Sequence, residues 1–396
     1  MPVVKFVQQR QRSYWIAQST KRFGFFSQYE IKNEMGRGPN SIVYQCQRKG
    51  LTDMYSVKCM RKNLVKKVSL VDAGILLKLD HKNLARLQEI FETRTKIYVV
   101  QEILTGENLL ERVANLEVST YNELLITKLV RDIVLGIKYL HFCGVYLGNL
   151  KPENLIFNST SDDAHVKITD FVMSTIVEQE VLLASITRQP YYTAPEILKN
   201  IKADLISDMW SLGTIAYILL FGVEPFYHDD PMALYKKIIK GQYEFPPHDQ
   251  DDLSAGAKEF LRKLLLVDVQ KRMTSEMAYL NYWVNSINVK TKPLTEVLMR
   301  MKELNTARKN RARLLPITIS FSGATSINEG YLYLVEDVNK TETTDNVPPN
   351  SFDSANDNVQ VDVSREVKDS EDAEALKNKE SFLDTKEKYG DTLSPV

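Results

Sequence analysis

The hydropathy pattern of this chain changes character once, near residue 105, and that change constrains the fold more than any other feature. From Tyr29 to Leu104 the segments YEIKNEMG, SIVYQCQ, MYSVKCM and IYVVQEIL are short, rich in β-branched and aromatic residues, and separated by glycine or charged residues. This predicts strands. One helical stretch, around VSLVDAGILLKL, interrupts them. From Glu107 to about Trp283, apolar residues recur at three- and four-residue spacing in ELLITKLVRDIVLGIKYLH and MWSLGTIAYILLFG. This predicts helices. The expectation is an α+β chain, with a small β-rich part over 29–104 and a larger α-helical part over 105–284.

Beyond it, PLTEVLMRMKELNTARKNRARLL places Leu294, Val297, Leu298, Met301 and Leu304 on one helical face, with Arg300, Lys302, Arg308, Lys309, Arg311 and Arg313 around and after it. Pro316 is expected to stop that helix. Residues 321–396 hold seven Lys/Arg against seventeen Asp/Glu and little periodicity, the composition of a disordered acidic tail. The first 28 residues form an N-terminal extension. Segment 285–320 stands between the α-rich part and the tail.

With 396 residues, 43% of them hydrophobic, the chain can bury a substantial core. No basic and aromatic interleaving argues for nucleic acid. The three cysteines, Cys46, Cys59 and Cys143, are scattered without metal-ligand spacing, so neither a disulfide framework nor a zinc site is indicated. No apolar run reaches 18 residues, and the N-terminus lacks a signal-peptide core. A cytoplasmic location is expected, and RKNRAR could equally serve as a nuclear import signal.

Several motifs follow in order. MGRGPNSIVY sets Gly36 and Gly38 between two predicted strands, where backbone N–H groups can approach phosphates without Cβ interference. Two glycines in a hairpin are ordinarily just a hairpin, and Lys58 in YSVKCM taken alone is ordinarily solvated. LKPENL with Lys151 and Asn154, followed by ITDF with Asp170, is far more specific. YTAPEIL, DMWSLG and a later KRM come next. In this order, over residues 29–284, the motifs resemble a protein kinase. The wording of GRGPNSIVYQCQRKG, EIFETRTKIYVVQEILTGENLLERV, YILLFGVEPFY and MKELNTARKNRARL is similar to the calcium/calmodulin-dependent kinases, type IV in particular.

The resemblance implies a two-lobed kinase fold, with an N-lobe over 29–104 and a C-lobe over 105–284. It implies ATP and Mg²⁺ as cofactors, with Gly36, Gly38, Val43, Lys58, Glu102, Leu104 and Asn154 toward the nucleotide and Asn154 and Asp170 toward the metal. Lys151 would stabilise the transferred phosphoryl group. Asp72 would pair with Lys58, Glu196 with Arg272, and Asp208 would brace the catalytic loop. Segment 285–320 would be autoinhibitory and calmodulin-binding, through Leu304, Arg308, Lys309, Arg311, Arg313 and Leu314.

The departures from the family pattern carry the functional expectation. Where the family has His-Arg-Asp, this chain has Leu147, Gly148 and Asn149. A neutral amide at 149 can hydrogen-bond but cannot act as a base, and a positioned base is worth ~100- to 10,000-fold. Gly148 removes the arginine that gathers the activation-loop phosphate, and Gln189 occupies the threonine of the family's Gly-Thr-Pro, leaving Thr187 and Thr193 as substitutes. Asp72 is one methylene shorter than the family's glutamate, Val172 replaces the glycine of Asp-Phe-Gly with a β-branched residue that resists the φ > 0 conformations glycine permits, and Asn108 replaces an acid at the ribose edge. Gln101 precedes the hinge. The expectation is a calmodulin-responsive pseudokinase acting as a scaffold, with weakened ATP/Mg²⁺ binding. The alternative is a serine/threonine kinase of low activity.

Overall fold

The structure is a computed structural model that describes residues 24–38, 41–61, 75–93, 95–176, 190–199, 204–247 and 252–319, all within one compact unit. The expectations for Asp72, Thr187, Gln189 and the acidic tail lie outside the described residues, as do the side chains of Arg313 and Leu314. Among the described residues no helix is long and apolar enough to cross a membrane.

The N-lobe is a five-stranded antiparallel sheet in the order β1-β2-β3-β5-β4, with β1 Tyr29–Arg37, β2 Ser41–Arg48, β3 Met54–Arg61, β4 Leu87–Glu92 and β5 Lys96–Glu102. Central β3 and β5 carry Val57, Met60, Ile97, Val99 and Val100 into two separate cores, one on each face. Phe25, in the helical turn Phe25–Gln28, completes the smaller core by stacking on Tyr98 (4.6 Å) and Tyr29 (5.5 Å). Part of the N-terminal extension therefore belongs to the lobe.

The C-lobe is built from α1 Leu109–Ala114, α2 Glu123–Phe142, α3 Leu205–Phe221, α4 Pro231–Lys240 and α5 Ala255–Leu264. α3 is apolar all round and buried continuously from Ser207 to Phe221, so it forms the centre of the lobe. Asp204 and Ser207 form a capping box at its start. Among the described residues of this lobe, paired strands return only in the short hairpin of β6 Leu155–Phe157 and β7 Val166–Ile168.

Helix α6, Thr295–Ile319, packs across this lobe with Leu294, Val297, Leu298 and Met301 buried and Leu304 against the same core. It runs three residues beyond Pro316, so the expected stop at that proline is corrected. A proline deletes one i→i−4 bond, here the one to the carbonyl of Ala312, and the helix ends within one turn of it.

Gly222 ends α3 with φ +71°, and a Cβ there would stand 2.5 Å from the Val297 carbonyl oxygen of the incoming α6 segment. Alanine at this position meets a left-handed backbone cost of roughly 1–2 kcal/mol plus the collision. The Gly222→Ala variant is expected to melt several degrees lower, with hydrogen exchange rising first in α6. Unchanged protection of α6 would show that the contact is not limiting.

Candidate active site

The β6–β7 hairpin and the 3₁₀ turn Pro152–Asn154 carry the loop of the LKPEN motif. Asn154 is buried, and its Nδ2 donates to the Asn149 carbonyl at 2.9 Å. From below, Asp208 accepts from Leu147 N (2.8 Å) and Gly148 N (2.9 Å), and His141 Nε2 lies 2.9 Å from the same carboxylate. The loop backbone is thus held at three points around Asn149. Gly148 takes φ +66°, a region glycine occupies freely. Leu147 is buried in the main core, so the position of the family's histidine carries an apolar side chain.

Opposite this loop, Lys58 Nζ of β3 meets Asp170 Oδ2 of the TDF motif at 2.8 Å, joining the lobes across the cleft. Asp170 has φ +61°, rare for a residue with a side chain, and Met173 N bonds its carbonyl at 3.0 Å. Strain of this kind is held where function needs a fixed direction. Val172 does not take a positive φ and is buried, so the expected conflict between a β-branched residue and a glycine-type backbone does not arise. The unusual dihedral belongs to Asp170 instead. Among the described residues the Asn149 side chain and Lys151 Nζ make no hydrogen bond or ion pair, and both line a small cavity that reaches Tyr192 and Thr193. Thr193, a proposed substitute phosphoacceptor, is buried.

On the nucleotide side, Gly36 faces Val43 across β1–β2, and Val43 pairs with Lys58 across β2–β3. A Cβ at Gly36 would meet nothing within 4 Å, so the fold itself does not demand glycine there. Gly38 N bonds the Ser41 carbonyl at 2.8 Å. Leu104 is buried just beyond β5. The Glu102 side chain is committed to the hinge, accepting from Lys167 Nζ (2.6 Å) and Arg86 N (2.7 Å). Asn108 caps α1: its Oδ1 accepts from Glu111 N at 3.1 Å, and its Nδ2 donates to Glu111 Oε2 at 2.6 Å. A cap of this type suits asparagine as well as an acid. Farther down, Glu196 and Arg272 form a bidentate buried pair at 2.6 and 2.9 Å.

The basic residues of α6 reach this site. Arg308 Nη2 pairs with Glu153 of the catalytic loop at 2.7 Å, Lys309 with Glu111 at 2.7 Å, and Arg311 with both oxygens of Glu224 at 2.7 and 3.1 Å. Burial pushes the Glu224 carboxyl above its ordinary range, and Arg311 opposes that. Glu111, Glu153 and Glu224 escaped the reading of the sequence. Glu224 carries a faint signal, since it is a lone acid in the apolar run YILLFGVEPF.

The protein kinase domain model matches residues 29–284. Calcium/calmodulin-dependent protein kinase type IV of Homo sapiens is 37% identical over 308 residues, covering 78% of this chain and 64% of that protein. This chain therefore spans slightly less than two thirds of that relative. Myosin light chain kinase A of Dictyostelium discoideum is 38% identical over 264 residues, covering 66% of this chain and 89% of its own length. Calcium/calmodulin-dependent protein kinase type 1B of Homo sapiens is 34% identical over 262 residues, 65% of this chain and 76% of its own. Since the match runs through both lobes and most of the chain, the protein belongs to the protein kinase family and is similar to its calcium/calmodulin-dependent members.

Proposed function

We propose that this chain is a calcium/calmodulin-responsive binding protein on a kinase scaffold, in which phosphoryl transfer is strongly impaired and MgATP binding is weakened. The observation that carries this reading is Asn149: the loop around it is braced by Asp208 and Asn154, yet an amide occupies the place of the base. The placement of α6 supports a regulated surface, because Arg308, Lys309 and Arg311 occupy carboxylates around the loop. Calmodulin would have to compete for Leu304 and these cations, engaging the helix in its own groove. The names of the relatives supply the partner class.

A second reading, a serine/threonine kinase of low activity, is favoured by the Lys58–Asp170 pair. In phosphoryl transfer, positioning and electrostatics carry most of the catalysis. Lys58, Asn154 and Asp170 would then hold MgATP, and Lys151 would face the moving phosphoryl group.

One experiment separates the two: γ-labelled ATP is offered with a basic Ser/Thr peptide to the full chain, with and without Ca²⁺/calmodulin, while calmodulin binding is measured in parallel. The binding-protein reading expects calcium-dependent binding with transfer at background. Transfer that is abolished in Asp170→Ala supports the second reading. Absence of calcium-dependent binding removes calmodulin from both.

A further inference from the structure

The turn Pro190–Tyr192 and the following Thr193 lie beside the catalytic loop, but no side chain of that loop holds them among the described residues. A small cavity lined by Gly148, Asn149, Lys151, Tyr192 and Thr193 separates the two segments. Gly148 offers nothing to span it. From the C-lobe core, Ser211 Oγ donates to the Tyr192 carbonyl at 2.7 Å, and Thr193 N bonds the Pro190 carbonyl at 2.9 Å. The remaining polar contacts come from a distant part of the chain.

Two arginines of α6 bridge the gap. Arg308 pairs with Glu153 at 2.7 Å while its guanidinium lies 5.6 Å from the centroid of the Tyr192 ring. Arg311 lies 4.7 Å from the centroid of the Tyr191 ring, and its Nη1 donates to Tyr191 Oη at 3.1 Å while the same group holds Glu224. Spacing of three residues puts both on one helix face. These are not loose surface contacts, because the Arg308 side chain is 12% exposed and Tyr192 is 6% exposed. A planar guanidinium over an aromatic face, paired to a carboxylate at the same time, fixes the ring against the loop.

We propose that Arg308 and Arg311 position residues 190–193 against the catalytic loop, so that α6 supports this surface as well as covering it. Displacing α6 then loosens the segment instead of exposing a finished platform. A helix that only blocks access makes the opposite prediction, with an unchanged segment left behind. The assignment goes beyond the proposed function and does not depend on whether phosphate is transferred.

Hydrogen exchange on the full chain tests it, comparing the unaltered protein with Arg308→Ala, Arg311→Ala, the double variant and Lys309→Ala. In the double variant the amide of Thr193, which bonds the Pro190 carbonyl, is expected to exchange at least about tenfold faster, while those of α3 keep their protection. Lys309→Ala removes one charge from the same helix, but its ion pair is with Glu111, so Thr193 should stay protected. Unchanged exchange at Thr193 in the double variant overturns the proposal. Equal opening in Lys309→Ala also overturns it, since attachment of the whole helix would then explain the protection. Should the double variant lose protection throughout, Arg308→Lys keeps the charge for Glu153 without the planar face on Tyr192. A rise at Thr193 is expected there too, and its absence refutes the assignment.

Discussion

Restoring a carboxylate through Asn149→Asp is expected to raise phosphoryl transfer to a basic peptide by ~100-fold or more, the range a positioned base contributes. Asparagine and aspartate are nearly isosteric, so the exchange changes charge and proton affinity with little change in shape. The surroundings are ready for it. Asn154 Nδ2 holds the 149 carbonyl at 2.9 Å, Asp208 holds the two preceding amides, and Asp170 is fixed by Lys58 at 2.8 Å. The measurement is the initial rate with γ-labelled ATP, with and without Ca²⁺/calmodulin, because α6 lies on carboxylates around the loop. Binding of MgATP is followed separately as a rise in melting temperature that Asp170→Ala should abolish. If MgATP raises the melting temperature of Asn149→Asp and the rate stays at background, the missing base is not the limiting defect. The absent side chain at Gly148 would then weigh more than the amide.

The halves of this site were unequally legible in the sequence. Strand and helix periodicity separated the lobes, because alternation and three-to-four spacing are local properties of each segment. Lys58, Asn154, Asp170, Asp208, Glu196 and Arg272 stood out because each sits in a short motif of fixed order. The partners of α6 did not, because Arg308 meets a carboxylate 155 positions away and Arg311 one 87 positions away. Pairings at such separation are set by how the helix lies on the lobe, which Leu294, Val297, Leu298 and Met301 determine by burial. The same limit applies at the hinge. Glu102 reads as a nucleotide neighbour from its place in the chain, but its side chain is taken by Lys167 from β7. Backbone conformation was the other blind spot, since a valine after Asp-Phe suggested a dihedral conflict that the chain avoids by placing the positive φ on Asp170.

Breaking the Glu196–Arg272 pair is expected to have the largest effect on stability. The Arg272 side chain is fully shielded and that of Glu196 is 6% exposed, so neither charge can turn to water. Glu196→Ala leaves the guanidinium with the carbonyls of Leu266 (2.8 Å), Ile206 (3.2 Å) and Val267 (3.5 Å), which take up only some of its five N–H groups and leave its charge uncompensated. Removing one partner of such a pair costs about 3–5 kcal/mol. For a unit of this size that is a fall in melting temperature of about 5–8 °C. Ser207 Oγ, which donates to Glu196 Oε1 at 2.7 Å, also loses its acceptor at the start of α3. Denaturant unfolding of Glu196→Ala and of the double variant Glu196→Leu, Arg272→Met decides the cause. If uncompensated charge is the cost, the double variant recovers most of the loss, since an apolar pair of similar volume is often neutral or better. Recovery should stop short of complete, because the carbonyls of Leu266 and Ile206 would have lost their donor. A double variant as unstable as the single one would instead place the cost in lost packing at the start of α3.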